Sequence, residues 1–151
     1  MKKVITAYKN IGETPLEALE RVRKAENIDP KTPMTYAGRL DPLAEGVLLL
    51  LVGDECKSKE KYLGLDKEYE VEVLFGIETD TQDMLGLITR INIENAQRVP
   101  GKKNPEIDFK KYEGKFTQEY PTYSSKMIAA KEVDEIPTKK VEIYEIEKIN
   151  E

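Results

Sequence analysis

The chain has 151 residues, a formal net charge of −5, 39% hydrophobic and 35% charged residues, one cysteine and no histidine. That is an ordinary soluble composition, expected to form one domain that buries roughly 70% of its unfolded surface. The missing histidine excludes Ser-His and Cys-His catalysis and histidine-held metals, Cys56 has no partner for an internal disulfide, and no apolar run reaches the ~18 residues of a membrane span.

The opening "MKKVITAYKN" lacks a signal-peptide core, so a cytoplasmic location is expected. "VITAY" reads as a short strand. "ETPLEALERVRKAENID" predicts a helix: Thr14 stands at the N-cap, Pro15 at the first helical position and Glu17 completes a capping box. Leu16, Leu19 and Val22 recur on one face. "IDPKTP" ends that helix and leads to "YAGRLDPLAEGVLLLLVG", where Arg39 and Asp41 sit in a Gly/Pro-punctuated loop before an apolar strand. That strand is short enough to be buried on both faces. Asp41 at its doorstep is expected to be partly desolvated. Arg39, two positions away on an extended segment, projects to the same side and can screen it.

"DECKSKEKYLGL" reads as a short exposed helix, on which Cys56 is incidental. In "KEYEVEVLFG", Tyr69, Val71, Val73 and Phe75 alternate with glutamates, the period of a half-buried strand. "IETDTQDMLG" is a polar turn whose Asp80 and Asp83 are read as Asx-turn formers rather than magnesium ligands. "LITRINI" is a further strand, residues 95 to 106 are the loosest part, "IDFKKYEG" reads as helical and "KKVEIYEIEKI" as a last strand. Between residues 98 and 118, Arg98, Lys102, Lys103, Lys110, Lys111 and Lys115 outnumber the acids, so a local basic face is open to an acidic protein. The expected fold class is α+β, a single mixed and largely antiparallel sheet with flanking short helices.

Four stretches occur in an order that resembles one family. "AGRLDPLAEGVLLLLVG" is similar to the Gly-x-Leu-Asp-Pro-Leu-Ala-x-Gly-Val-Leu motif of the TruB-type pseudouridine synthases. "YKNIGETP" resembles that family's Lys-x-x-Gly-x-Thr entry segment at Lys9, Gly12 and Thr14. "DKEYEVEVLFGIETDTQDMLGLI" resembles its Asp-Lys-x-Tyr stretch and the Thr-Asp-Thr turn after it. "GKFTQEYPTYSSKM" resembles its Gln-x-x-Pro-x-Tyr-Ser segment at Gln118, Pro121, Tyr123 and Ser124.

The resemblance implies a pseudouridine synthase-like fold and an enzyme that isomerises uridine in RNA, with the tRNA T-loop uridine as the expected target and base flipping as the means of access. It implies Asp41 as the catalytic carboxylate, Tyr69 as the ring that stacks on the target base, and Lys9, Tyr36, Tyr123 and Lys126 as RNA contacts. No metal or organic cofactor is implied. Tyr36 stands where the family usually has a histidine, and the segment after "TYSS" is shorter than in the family. The family's Lys-Gly-x-Tyr-x-Arg motif, whose arginine pairs with the aspartate, has no counterpart up to Glu151, so Arg39 is the expected substitute and a second polypeptide completing the fold is an open alternative. Two other readings stand beside this one: a non-catalytic RNA-binding or chaperone module of the same fold, and a carboxylate hydrolase joining Asp41 to Asp80 or Asp83 at roughly 5–9 Å.

Overall fold

The structure is a computed structural model that describes residues 3–92, 107–120 and 137–149. It divides into two compact units, Met1–Glu70 and Val71–Glu151.

In the first unit β1 (Lys3–Lys9) leads to α1 (Pro15–Ala25). The helix starts as its sequence demands. Thr14 Oγ1 accepts from the Glu17 amide at 3.2 Å, and the Glu17 carboxylate accepts from the Thr14 amide at 2.7 Å, the reciprocal capping box. β2 (Met34–Ala37) and β3 (Gly46–Val52) complete an antiparallel sheet in the order β1-β3-β2. Ile5 lies opposite Leu50, Ala7 opposite Leu48 and Tyr36 opposite Leu50. Leu48 and Leu50 thus face α1 and form the core with Ala7, Ala18 and Leu19, while Ile5, Val22, Met34 and Tyr36 pack at its margin. β3 is central because a run of leucines is stable only where its faces are covered. Its first apolar residue, Val47, is nevertheless exposed. β2 carries no strand signal of its own. Four residues, "MTYA", form a strand because β3 templates them.

"DECKSKEKYLGL" forms a 3-10 turn, Gly53–Ser58, and then α2 (Lys59–Leu63), in keeping with the expected short helix. Cys56 Sγ donates to the Leu51 carbonyl at 3.2 Å.

The second unit contains two hairpins. β4 (Ile77–Thr79) pairs with β5 (Ile88–Ile91), and β6 (Gly114–Glu119) pairs with β7 (Thr138–Ile143). "LITRINI" and the final strand are therefore where the sequence puts them, although β7 stops at Ile143. "IDFKKYEG" gives only a 3-10 turn, Phe109–Tyr112, before β6 takes over.

Two expectations need correction. The single sheet is instead three small antiparallel sheets among the described residues, still an α+β arrangement. The alternating segment Glu68–Phe75 forms no strand, and Tyr69, Val71 and Val73 are exposed. Alternation encodes a face to be buried, and a strand also needs a neighbour to accept its backbone hydrogen bonds. Neither is present beside this segment among the described residues. None of the described helices is long and apolar enough to cross a membrane.

Candidate active site

The loop between β2 and β3 is built around its backbone. β2 ends at Ala37, and Gly38 follows with φ +98°, a left-handed conformation that favours glycine. The Ala44 amide closes a turn on the Asp41 carbonyl at 3.0 Å, and β3 begins two residues later. Lys9, the last residue of β1, and Gly12 in the turn after it then pin this turn. The Gly12 amide donates to the Pro42 carbonyl at 2.8 Å. The Lys9 ammonium, with no exposed surface, donates to the carbonyls of Ala44 at 2.5 Å, Asn10 at 3.1 Å and Pro42 at 3.4 Å.

This lysine is buried because its amine finds carbonyls on every side it can reach, which offsets the cost of taking a charge out of water. Its role is therefore to hold the Asp41 turn from inside. The sequence-based expectation that Lys9 touches RNA is corrected here, since its amine faces inward.

The segment carrying Lys9 and Gly12 is braced in turn. Glu13 accepts from the Asn10 amide at 3.0 Å and from Arg21 of α1 at 2.8 and 2.9 Å. The Arg21 hydrogen bond first, and the Asn10 amide second, lower the Glu13 pKa to about 2. Arg21 also donates to the Tyr8 carbonyl at 2.6 Å. A line of contacts thus runs from α1 through the Asn10–Thr14 turn to the loop of Asp41. On the exposed face of β1, burial, then the Glu45 charge and hydrogen bond, raise the Tyr8 phenol above its ordinary pKa.

The Asp41 side chain is exposed, and the expectation of a desolvated carboxylate is not met by this chain's own residues. No described residue gives it a hydrogen bond or an ion pair. Arg39 makes none either, so the expected Arg39–Asp41 pair is also corrected. The i, i+2 argument assumes extended backbone, whereas Gly38 turns the chain just before Arg39 and the Pro42–Leu43 turn follows Asp41 at once.

Arg39 lies instead along an open groove of about 290 Å³ with Tyr36, Gly38, Lys59 and Leu63. Over it the Lys59 amine stands 5.4 Å from the centre of the Tyr36 ring. Tyr69 does not line this groove. It lies on the irregular segment after α2, 63% exposed. Tyr123 and Lys126 fall outside the described residues.

The aspartates of "TDTQD" behave as turn formers. Asp83 Oδ1 accepts from Thr81 Oγ1 at 2.6 Å and from the Leu85 amide at 2.9 Å, and Asp80 Oδ1 accepts from the Leu87 amide at 2.9 Å. No acidic cluster able to hold a metal occurs among the described residues.

The sequence matches the family described as TruB family pseudouridylate synthase (N terminal domain) over residues 27–150, most of the chain. The chain belongs to the TruB family. Proteins named tRNA pseudouridine synthase B resemble it along nearly its whole length. That of Borrelia garinii subsp. bavariensis is 31% identical, covering 94% of this chain and 51% of the relative. That of Thermosipho melanesiensis is 33% identical, covering 99% and 50%, and that of Caldicellulosiruptor saccharolyticus is 33% identical, covering 99% and 53%. The chain spans about half the length of these TruB relatives.

Sequence reasoning missed Lys59 and the inward use of Lys9. Lys59 is one of three lysines in "KSKEK", with nothing in the sequence to single it out, and only the fold carries it over Tyr36. For Lys9 a signal existed, because the alternation of β1 places it on the face of Ile5 and Ala7.

Proposed function

We propose that this chain carries the aspartate-bearing half of an RNA pseudouridine synthase acting on tRNA, with Asp41 as its catalytic carboxylate. The observation that carries this reading is the turn of Asp41. Its backbone is fixed by a buried ammonium and an amide, while its side chain is left open for a substrate.

The reaction breaks the C1′–N1 bond of uridine, turns the base and forms C1′–C5. The hydrogen on C5 leaves as a proton and N1 gains one, so no oxidant or cofactor enters the balance. A carboxylate serves by attacking the sugar or the base, or by stabilising charge in a glycal-forming elimination. Each route needs the carboxylate held at a fixed place before the base arrives. Each also needs water kept away. In this reading the docked RNA supplies that cover, because the described residues do not. Tyr69 offers its exposed ring to a flipped base, a contact of ~1–3 kcal/mol in stacking sites. Arg39 stands near enough along the chain to meet phosphate, and Tyr36, Tyr123 and Lys126 are the further RNA contacts of this reading.

The test is tritium release from tRNA transcripts carrying [5-³H]uridine. The wild type is expected to release tritium and Asp41→Asn to fall by at least ~10³-fold. Equal release by the two proteins would end the catalytic reading. RNA binding by both without release would select the non-catalytic module.

A further inference from the structure

The chain leaves α2 toward Tyr69 through a turn that its own groups close. α2 is fastened to the first unit by a buried carboxylate, since Glu55, in the Gly53–Ser58 turn, accepts from the Tyr62 hydroxyl at 2.9 Å. A carboxylate that is nearly out of water gives up such a donor only at a cost. The Gly53–Ser58 turn is tied in its turn to β3, where the Cys56 thiol donates to the Leu51 carbonyl. Gly64 ends the helix, and its amide donates to the Glu60 carbonyl at 3.3 Å. Beyond it the Lys67 amine folds back and donates to the carbonyls of Leu65 at 2.6 Å and Leu63 at 3.1 Å. Leu63 is the last residue of α2, so its carbonyl belongs to the open end of the helix, where a lysine can serve as donor. Only Glu68 separates Lys67 from Tyr69. Two Cα steps reach at most ~7.6 Å, so a held Lys67 confines the backbone of Tyr69 to a short arc at the end of α2.

We propose that Lys67 is a positioning residue for Tyr69: by clamping the exit of α2 it fixes the root from which the ring meets a flipped base. The inference rests on the reading of Tyr69 as the stacking ring of an RNA enzyme and adds the group that aims it. The ring itself stays in solvent until the base arrives. The clamp therefore acts on where the ring can be found, not through contact with it. Ordering a free segment at the moment of binding costs backbone entropy, and a clamped root has given up part of that entropy beforehand. The lysine is also committed to this task. Two of the three donors of its ammonium are turned onto its own chain.

The experiment is a double-mutant cycle of Lys67→Met and Tyr69→Ala, read by binding of a fluorescent tRNA T-arm stem-loop across a series of KCl concentrations, with tritium release in parallel. Lys67→Met is expected to weaken binding by ~3-fold alone and by less than ~1.5-fold when Tyr69 is already alanine, because the clamp acts through the ring. The slope of log K against log salt is expected to stay unchanged, since no phosphate contact is lost. Lys67→Arg, which keeps donors for the same carbonyls, is expected to restore binding. The chain has no tryptophan, so Tyr69→Trp places a single fluorophore at the stacking position. Its emission should be quenched by saturating stem-loop, and less so when Lys67→Met is added. Circular dichroism of each variant identifies any loss that comes from unfolding, and Lys67→Gln replaces Lys67→Met if that variant unfolds. An equal loss from Lys67→Met in both Tyr69 backgrounds would overturn the clamp, as would wild-type binding in that variant. A slope reduced by ~0.7–0.9 would overturn it as well, being the mark of a lost phosphate contact. Tyr69→Ala that binds and releases tritium like the wild type would instead overturn the stacking reading, and the clamp with it.

Discussion

The turn of Asp41 and the segment of Tyr69 are held in opposite ways. The first receives the Lys9 ammonium and the Gly12 amide on its carbonyls, from a strand that is itself braced by Arg21 and Glu13. The second runs on from α2 without a strand partner among the described residues, and its ring is largely in solvent. A group that reacts has to be in place beforehand, since displacement by even about 1 Å is costly in rate. A ring that stacks can be ordered by the base it meets. The difference teaches that the Asp41 turn is held through hydrogen bonds to its backbone, which leave the carboxylate itself open.

That contrast can be broken or sharpened by substitution. The largest effect is expected from Lys9→Met. The Asn10 and Pro42 carbonyls keep donors in the Glu13 and Gly12 amides, but the Ala44 carbonyl loses the donor shown for it. Urea unfolding should report a loss of about 2 kcal/mol, and an unchanged midpoint would show that the ammonium is not what holds the turn. Thr14→Ala removes the capping box and should cost about 1 kcal/mol by the same measurement.

Glu13 gives a smaller effect with a defined sign. Its pKa is lowered from 4.5 to about 2, so the folded state binds fewer protons than the unfolded one across that interval. The stability it contributes is complete above about pH 4.5 and is lost as pH falls toward 2. In Glu13→Gln, thermal unfolding followed between pH 6 and pH 2 should show a shallower decline than the wild type. A parallel decline would remove Glu13 as the brace. The smallest stability effect belongs to Tyr69→Ala, within ~0.5 kcal/mol because the ring is exposed. The same substitution should lower RNA affinity or turnover by ~5-fold or more. Loss of stability without loss of either function would reverse the comparison.

Local chemistry was the legible part. The start of α1 was readable because Thr14, Pro15 and Glu17 satisfy helix-end amides without outside help, and the Thr79–Leu87 turn because Asp80 and Asp83 bond their own neighbours. β3 was readable because the apolar run of "GVLLLLVG" is stable only as a covered strand, and Leu48, Leu50, Leu51 and Val52 are indeed buried while Val47 is not. The motif order placed the chain in its family.

What depends on a partner elsewhere in the chain was decided only by tertiary structure. β2 exists because β3 lies beside it, while the equally regular alternation around Tyr69 forms no strand and has no strand neighbour among the described residues. Lys9 is inward because three carbonyls converge on it, Arg39 points into a groove because Gly38 turns the chain, and Lys59 reaches Tyr36 because α2 packs near β2. Propensities and caps act over a few residues and can be read in place. Pairing, burial of a charge and the direction of a loop side chain are set by groups distant in sequence, and only the folded chain brings those together.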